Sequence, residues 1–290
     1  MNLNNEFTST GSKFFAHQEA MTKLRNGRGQ PIVTHIMLTD VCNHTCAFCS
    51  VQSRPGDVLN FGVVLTYLNI LKNFGLKAVI LSGGGNPILY KCKKTGSNFN
   101  DVVNAIYAMG LEIGLITNGM PLKEYPDKRK SWVTVEPETL DKLTWIRISM
   151  SGLDHEEKKV FVPDVNPDKT TLGFSYVAHD IYEEPEDPYH GKVSRPLDLI
   201  SGCRTRTANS YFEERIGELI EAFKDYAKRY KPAYIRLLPN CLEHDLIPQR
   251  CLQLKKICNV VNFHVDNEVC FVQNKPPKPP KACYLGYIHP

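Results

Sequence analysis

Three cysteines, Cys42, Cys46 and Cys49, stand in one short stretch of the chain. Their spacing, C-x3-C-x2-C, is short enough for a single loop to wrap around a metal cluster. A [4Fe–4S] cluster normally takes one thiolate for each of its four irons. Three local thiolates leave one iron with an open coordination position, and an open position distinguishes reactive metal sites from structural ones.

A zinc site is the alternative interpretation of these cysteines. Structural zinc usually binds four protein ligands arranged in paired C-x2-C or H-x3-H halves. The sequence contains no second half of either kind. The ligand set and its spacing therefore favour an iron–sulfur cluster over zinc.

The residues around the cysteines extend the motif. Residues 32–39 form a β-rich run that ends at the cysteine loop, and Phe48 is the aromatic residue directly before Cys49. The pattern C-x3-C-x-aromatic-C after a strand resembles the radical S-adenosylmethionine (SAM) superfamily, over roughly residues 30–245. The resemblance implies a [4Fe–4S] cluster on the three cysteines, SAM on its fourth iron, and Phe48 among the cofactor-binding residues.

Strands and helices alternate after the cysteine loop, which predicts an α/β fold with a parallel sheet. Strands are predicted at about 32–39, 77–81, 111–117, 145–150, 170–178 and 234–238, and helices at about 58–74, 97–109, 137–143, 209–230 and 248–261. The resemblance implies that these six units form a partial (β/α)6 TIM-like barrel. We predict a lead-in helix within residues 1–30, the barrel at 31–245, and a short C-terminal extension with a Pro-rich linker at 246–290.

A glycine-rich loop follows the second predicted strand, in the order Ser82-Gly83-Gly84-Gly85. Ligands of parallel α/β sheets bind at the carboxyl ends of the strands, and glycine lets the backbone approach a ligand closely. The resemblance implies that this loop holds the amino group of SAM. Asn86 stands where the family often has an acidic residue. A backbone carbonyl can act as the hydrogen-bond acceptor in place of that carboxylate. The alternative is an ordinary strand-to-helix turn.

Alternation along the strands predicts which side chains face the barrel lumen. In the fourth strand, Ile146, Ile148 and Met150 share one side, and Arg147 and Ser149 lie on the other. The same reasoning directs Arg236 and His179 inward. Two arginines and a histidine would suit the SAM carboxylate or an anionic substrate. Alternatively, Arg147 and Arg236 are structural ion-pair partners of carboxylates such as Glu112.

Three further polar residues close predicted strands. Asn118 ends the third strand and Ser149 the fourth; the resemblance implies that both contact SAM. Asn118 could equally be a turn residue beside Gly119. His179 is a candidate acid or base on the substrate side, although a hydrogen-bonded core histidine fits equally well. Arg236 is the second candidate catalytic residue.

Composition restricts the class of protein. The 290 residues carry a formal net charge of only +4, which argues against a dedicated nucleic-acid binder. No segment looks like a signal peptide or a membrane span. Ten cysteines without a secretion signal fit a reducing, cytoplasmic compartment with metal chemistry.

The remaining cysteines are mostly interpreted as small buried apolar residues: Cys92, Cys203, Cys241, Cys251, Cys258, Cys270 and Cys283. The opening at 14–31 and the tail at 282–290 resemble the SPASM and Twitch groups of the superfamily. However, the sequence stops before a further set of cysteines that could bind a second cluster.

The resemblance implies an enzyme that reductively cleaves SAM and abstracts hydrogen from a substrate. It also implies an electron donor such as flavodoxin or ferredoxin. The substrate is expected to be a peptide or protein side chain, or a small molecule. The alternative is a nucleotide or a base in a nucleic acid. Two other hypotheses stay open: a non-catalytic iron–sulfur electron carrier with a fourth thiolate such as Cys92 or Cys203, and a barrel that binds SAM only as a regulator.

Overall fold

Short apolar runs rich in β-branched residues form one parallel sheet in the computed structural model of the chain. Strands of this composition are buried on both faces, as parallel sheets require. The strands are β1 Val33–Ile36, β2 Ala78–Leu81, β3 Glu112–Thr117, β4 Trp145–Ser149, β5 Thr171–Ala178, β6 Tyr234–Pro239, β7 Cys270–Val272 and β8 Tyr287–Ile288.

The structure describes residues 17–46, 48–49, 51, 54–119, 135–155, 158–180, 211–240, 243–273 and 287–288. Two predictions fall outside these ranges: the Pro-rich linker and the first part of the lead-in helix. Cys203, Cys241 and Cys283 also lie outside the described residues.

The sheet order is β7-β6-β5-β4-β3-β2-β1-β8. Each neighbouring pair is parallel. The six predicted βα units are therefore adjacent in chain order, and the resulting open, partial (β/α)6 barrel confirms the predicted fold class. Two strands were not predicted: β7 extends the sheet beside β6, and β8 pairs with β1.

Two of the helices begin at asparagine caps. Asn60 and Asn98 accept hydrogen bonds from backbone N–H groups of the first turn, and Asn98 forms a capping box with Asp101. The helices are α1 Gln18–Arg25, α2 Phe61–Asn73, α3 Phe99–Ala108, α4 Pro137–Leu140, α5 Tyr211–Tyr230 and α6 Ile247–Val265.

The two faces of the sheet differ in chemistry. Ile146, Ile148 and Met150 lie in the large hydrophobic core, as do Ile235 and Leu237 of β6. Because side chains alternate along a strand, the opposite face lines the lumen. Residues Arg147, Ser149, Ser175 and Arg236 are on that face and are partly or fully buried.

Candidate functional site

The cysteine loop lies at the carboxyl end of β1 and is closed at its base. Thr39 and Val58 form an antiparallel bridge. The Oγ1 of Thr39 donates to the carbonyl of Asp57 over 3.1 Å, and Gly56 N donates to Asp40 Oδ2 over 3.2 Å. These bonds bring the two ends of the loop together, so that the three cysteines lie on a loop of defined span.

The three thiols are close enough to interact electrostatically. Burial of the sulfur raises the pKa of Cys46 to about 12, and the neighbouring thiols of Cys42 and Cys49 act in the same direction. A hydrogen bond from Ser151, just beyond β4, opposes the rise in pKa. A thiol with this pKa ionises only when a cation compensates its charge, and metal binding supplies that cation.

Two histidines border the same thiol. His155 Nε2 lies 3.7 Å from Cys46 Sγ, and the rings of His44 and His155 are 4.4 Å apart between centroids. Ligand atoms of His44, Cys46 and His155 all lie within 4.8 Å of one another. Burial, His155 and Arg54 lower the pKa of His44 to about 4, so His44 is neutral at pH 7. The surroundings of Cys46 are thus rich in groups that bind metals.

Arg54 spans the cysteine loop. Its guanidinium donates to the carbonyls of His44 over 2.6 Å and of Val51 over 3.1 Å. Its Nη2 donates to Cys49 Sγ over 3.1 Å. A cation that donates to a ligand sulfur stabilises negative charge on that sulfur, and such hydrogen bonds tune the potential of iron–sulfur sites.

Replacing Arg54 with glutamine is expected to lower the midpoint potential of a bound cluster, because the reduced cluster loses a positive neighbour. Each tenfold change in the one-electron equilibrium corresponds to about 59 mV. Redox titration followed by electron paramagnetic resonance measures the shift. Arg54→Lys, which keeps the charge, should shift the midpoint potential less. Equal potentials in the wild type, Arg54→Gln and Arg54→Lys would contradict the role of Arg54 in setting the potential.

The glycine-rich loop after β2 packs directly on the cysteine loop. Gly85 N donates to the carbonyl of Thr39 over 2.7 Å, and Asn86 N donates to that of Val41 over 2.8 Å. A Cβ on Gly85 would lie 2.0 Å from the Val41 oxygen, and one on Gly84 would lie 2.7 Å from the Thr39 oxygen. Glycine is therefore required here for contact between the two loops.

Substituting alanine for Gly85 is expected to separate the two loops and reduce both cluster loading and SAM affinity, since overpacking typically costs about 1–3 kcal/mol. Iron content after reconstitution and equilibrium binding of SAM test this. Gly217→Ala in α5 is the matched control, because a Cβ added there would meet none of the described atoms within 4 Å. Unchanged iron and SAM affinity in the Gly85 variant would refute the expectation.

Three asparagines connect the ends of three elements. Asn86 Nδ2 donates to Asn43 Oδ1 over 3.1 Å and to Asn118 Oδ1 over 2.8 Å, and Asn118 Nδ2 donates to Asn43 Oδ1 over 3.1 Å. Thr117 Oγ1 donates to Asn86 Oδ1 over 2.9 Å. Asn86 thus ties the cysteine loop to the ends of β2 and β3. Sequence reasoning identified Asn86 as a departure from the family pattern but missed this network.

A buried polar network lies beside Phe48. The Phe48 ring is 5.0 Å from that of His179, and His179 Nε2 is 3.4 Å from Asp154 Oδ2. Asp154 also accepts hydrogen bonds from Tyr176, over 2.8 Å, and from Arg215. Burial works to raise the pKa of Asp154, but His179 and Arg215 outweigh it and hold that pKa below its usual value. His179 therefore has a fixed carboxylate partner close to the cysteine loop.

Asp154 and Arg215 were missed by sequence reasoning. Asp154 comes shortly after Ser149 at the end of β4, a position that could have identified it. Arg215 lies far along the chain in α5, and no local signal relates the two. At the end of β4, Ser149 Oγ donates to Ser151 Oγ over 3.2 Å.

The two lumen arginines are buried: Arg147 is 4% exposed and Arg236 is 9% exposed. Burial and the charge of Arg147 lower the pKa of Arg236 to about 9, while Tyr234 opposes this change. Glu112, suggested by the sequence as an ion-pair partner, is instead exposed and accepts a hydrogen bond from Thr144. Glu112 lies at the amino end of β3, too far down the sheet for that pairing.

The described residues suit an iron–sulfur cluster and SAM. Three mutually close thiols provide the donor set, and Gly84 and Gly85 leave the backbone beside them without side chains. Ser82, Gly83, Asn118 and Ser149 lie at the carboxyl ends of β2, β3 and β4, on the same edge of the sheet. Cys92 is 2% exposed within the hydrophobic core and is not part of the described group of metal-ligating residues, which consists of His44, Cys46 and His155.

Comparisons with known proteins agree with this site. Residues 36–159 match the sequence family described as the Radical SAM superfamily. A probable GTP 3',8-cyclase of Saccharolobus islandicus (strain M.14.25 / Kamchatka #1) is 32% identical over 106 residues, which are 35% of this chain and 32% of that protein. The S-adenosylmethionine-dependent nucleotide dehydratase of Selenomonas ruminantium is 29% identical over 85 residues, which are 29% of each chain. The matches thus span about a third of these relatives.

The fold also resembles a solved structure. Streptococcus suis SuiB bound to precursor peptide SuiA superposes with a TM-score of 0.50 at 14% identity, covering 97% of this chain and 57% of that chain. The cysteine motif lies within the segment that matches the Radical SAM superfamily, and the fold shared with SuiB agrees with that match. Members of this family use SAM and an iron–sulfur cluster.

Within the part of the chain that the structure describes, every helix is too short or too polar to cross a membrane.

Proposed function

We propose that this protein cleaves SAM reductively at a [4Fe–4S] cluster and abstracts a hydrogen atom from a substrate held in the barrel lumen. The observation that carries the proposal is the contact between the three-cysteine loop and the Gly83–Gly85 loop at one edge of the sheet. When bound, the cluster and SAM would supply the radical chemistry that removes this hydrogen atom.

The chain's own residues hold and enclose these groups. Cys42, Cys46 and Cys49 would hold the cluster and leave one of its irons open to SAM. The glycine loop, with Ser82, accepts the methionine end of SAM, and Asn118 and Ser149 contact it from the neighbouring strands. Phe48, on the cysteine loop, packs against the ring of His179.

Asp154 keeps His179 in position through a 3.4 Å contact, and the histidine is only 3% exposed. His179 then serves as a proton donor or acceptor toward a substrate in the lumen. Electrons come from a small reductant protein such as flavodoxin or ferredoxin.

Two substrate classes are supported by different observations. A peptide is supported by the fold shared with SuiB, whose structure contains a precursor peptide. A nucleotide is supported by the matched relatives, which are named as a GTP cyclase and a nucleotide dehydratase. The buried arginines of the lumen favour a substrate with negative charge.

Anaerobic reconstitution with iron and sulfide, followed by dithionite and SAM, tests the proposal. We expect about four irons per chain and formation of 5′-deoxyadenosine. The assay is run with and without GTP. Four irons per chain but no 5′-deoxyadenosine under either condition would indicate an electron carrier. Zinc bound in place of iron would overturn the cluster assignment.

A further inference from the structure

Two cysteines outside the candidate site contact each other. Cys258 lies in α6, and Cys270 is the first residue of β7. Their Sγ atoms are 3.1 Å apart, and both residues are only 4% exposed. Because a disulfide bond has an S–S distance of about 2.05 Å, the two sulfurs need only a small further approach to bond. Neither thiol has a role in the proposed reaction.

Asn262 holds the two backbones in this position. Its Nδ2 donates to the Cys270 carbonyl over 2.8 Å, and its Oδ1 accepts a hydrogen bond from Cys270 N over 2.7 Å. Asn262 comes four residues after Cys258 in α6, so both side chains project from the same face of the helix. Cys270 is therefore held against α6 by its main chain and contacts Cys258 through its side chain.

The connection between α6 and β7 is short and hydrogen-bonded. Asp266, the C-cap of α6, has a left-handed conformation with a φ of 50°. Asn267 N donates to the Asn262 carbonyl over 3.2 Å, and Val269 N donates to the Asn267 carbonyl over 2.8 Å. Ile235 N of β6 donates to the Val269 carbonyl over 2.7 Å. The backbone thus brings the two cysteines together before any covalent bond forms.

The surroundings of the two thiols are apolar. Both cysteines belong to the large hydrophobic core, together with Ile257 and Val261 of α6. The hydrogen bond between the two sulfurs raises the pKa of Cys270, and burial acts in the same direction. The reactive form of a thiol is the thiolate, so this pair oxidises slowly and persists as two thiols in a reducing environment.

We propose that Cys258 and Cys270 are a site of reversible oxidation, at which a small uncharged two-electron oxidant such as hydrogen peroxide forms a disulfide bond between α6 and β7. One sulfur attacks the O–O bond, which gives a sulfenic acid and releases water. The second sulfur attacks the sulfenic sulfur and releases a second water. The two thiols lose two electrons and two protons, and one peroxide becomes two waters.

The disulfide would stabilise the outer edge of the sheet. β7 has three residues and stands beside β6 at the end of the strand order. The two cysteines are 12 positions apart in the chain, and closing a loop of this size restricts the unfolded chain. Phe271 of β7 lies 6.2 Å from Tyr234 of β6 between ring centroids. The bond would therefore fasten a strand that packs on the lumen wall.

The test oxidises the anaerobically reconstituted protein with diamide, an uncharged azo compound whose two nitrogens each take up one hydrogen from the two thiols. Diamide replaces peroxide here because peroxide also attacks cluster iron. After alkylation of free thiols in denaturant, trypsin releases residues 257–281 as one peptide, in which Cys258 and Cys270 are the only cysteines. We expect this peptide to lose the mass of two hydrogen atoms and to take up no alkylating reagent. Dithiothreitol should reverse both changes.

Unfolding temperatures provide a second readout. Oxidation should raise the unfolding temperature of the wild type by about 5–10 °C. Cys258→Ala and Cys270→Ala should show no rise, and the second variant keeps the test valid if the first folds poorly. Cys251→Ala, at a partly exposed thiol of the same helix, is the matched control and should respond as wild type does.

Three results would overturn the proposal. The first is a peptide 257–281 that keeps both free thiols after diamide treatment. The second is a disulfide that forms only in protein unfolded by urea. The third is oxidation at the same rate by glutathione disulfide, a reagent too bulky to reach thiols that are 4% exposed. The proposed function is tested separately by 5′-deoxyadenosine formation, and oxidation of this pair does not depend on that outcome.

Discussion

Replacing Cys46 with alanine is expected to remove the cluster and reduce SAM cleavage to background. Cys46 is the central thiol of the motif, and burial raises its pKa to about 12. A bound metal would supply the positive charge that its thiolate needs. Two thiolates cannot hold three irons, so iron should fall from about four per chain to well below that number. Iron analysis, the visible spectrum and the 5′-deoxyadenosine assay measure the loss.

Cys251→Ala is the matched control for this experiment. Cys251 is a partly exposed thiol in α6, outside the cysteine loop. The control should load iron and cleave SAM as wild type does. Full iron content and undiminished cleavage in Cys46→Ala would disprove the ligand assignment. Loss in both proteins would indicate a general sensitivity of the fold to cysteine substitution.

Replacing Asp154 with asparagine is expected to lower the free energy of unfolding by about 3–5 kcal/mol, because removal of one partner leaves a buried charge uncompensated. Asp154 is 9% exposed and Arg215 is 11% exposed at their side chains, so solvent screens the pair weakly. His179 loses the same partner. Urea unfolding followed by circular dichroism measures the change.

The pH dependence of stability provides a second readout for Asp154. The folded-state pKa of this carboxyl lies below its usual value. Its contribution to stability is therefore fully present above the unfolded pKa of about 4 and is lost as the pH falls through the lower folded pKa. Wild-type stability should decline across this acidic window, whereas the asparagine variant should lack this component.

Two further variants make the Asp154 prediction specific. Asp225→Asn, at an exposed position of α5, should change stability by less than about 0.5 kcal/mol. The double variant Asp154→Asn with Arg215→Met should recover part of the lost stability, since it removes the stranded charge. An Asp154→Asn variant as stable as wild type would show that the network around Asp154 contributes little to the free energy of unfolding.

The order of strands and helices could be predicted from the sequence because it depends on local patterns. Buried β-branched runs such as Val79–Leu81 and capping asparagines such as Asn98 are readable without tertiary information. The six predicted units occur in the structure, with boundaries shifted by a few residues. The short strand β7 and the two-residue strand β8 were missed, because pairing rather than local sequence makes them strands.

The metal motif was also local. The three cysteines and Phe48 lie within one loop, so their spacing alone indicated the chemistry, and they fall within the residues that match the Radical SAM superfamily. The alternation of side chains along β4 predicted that Arg147 and Ser149 face the lumen. Which residues would meet across the lumen could not follow from that alternation, since it depends on strand register.

Tertiary structure alone placed the partners of the site. Arg54 contacts Cys49 through the return of a loop, Asn86 joins Asn43 and Asn118 from separate elements, and Arg215 reaches Asp154 from a helix 61 residues away. The sequence by itself determined the fold class and predicted the three thiol ligands, because both depend on short-range spacing. Only the folded chain determined which charges are buried together, because burial and long-range contact arise when distant segments pack.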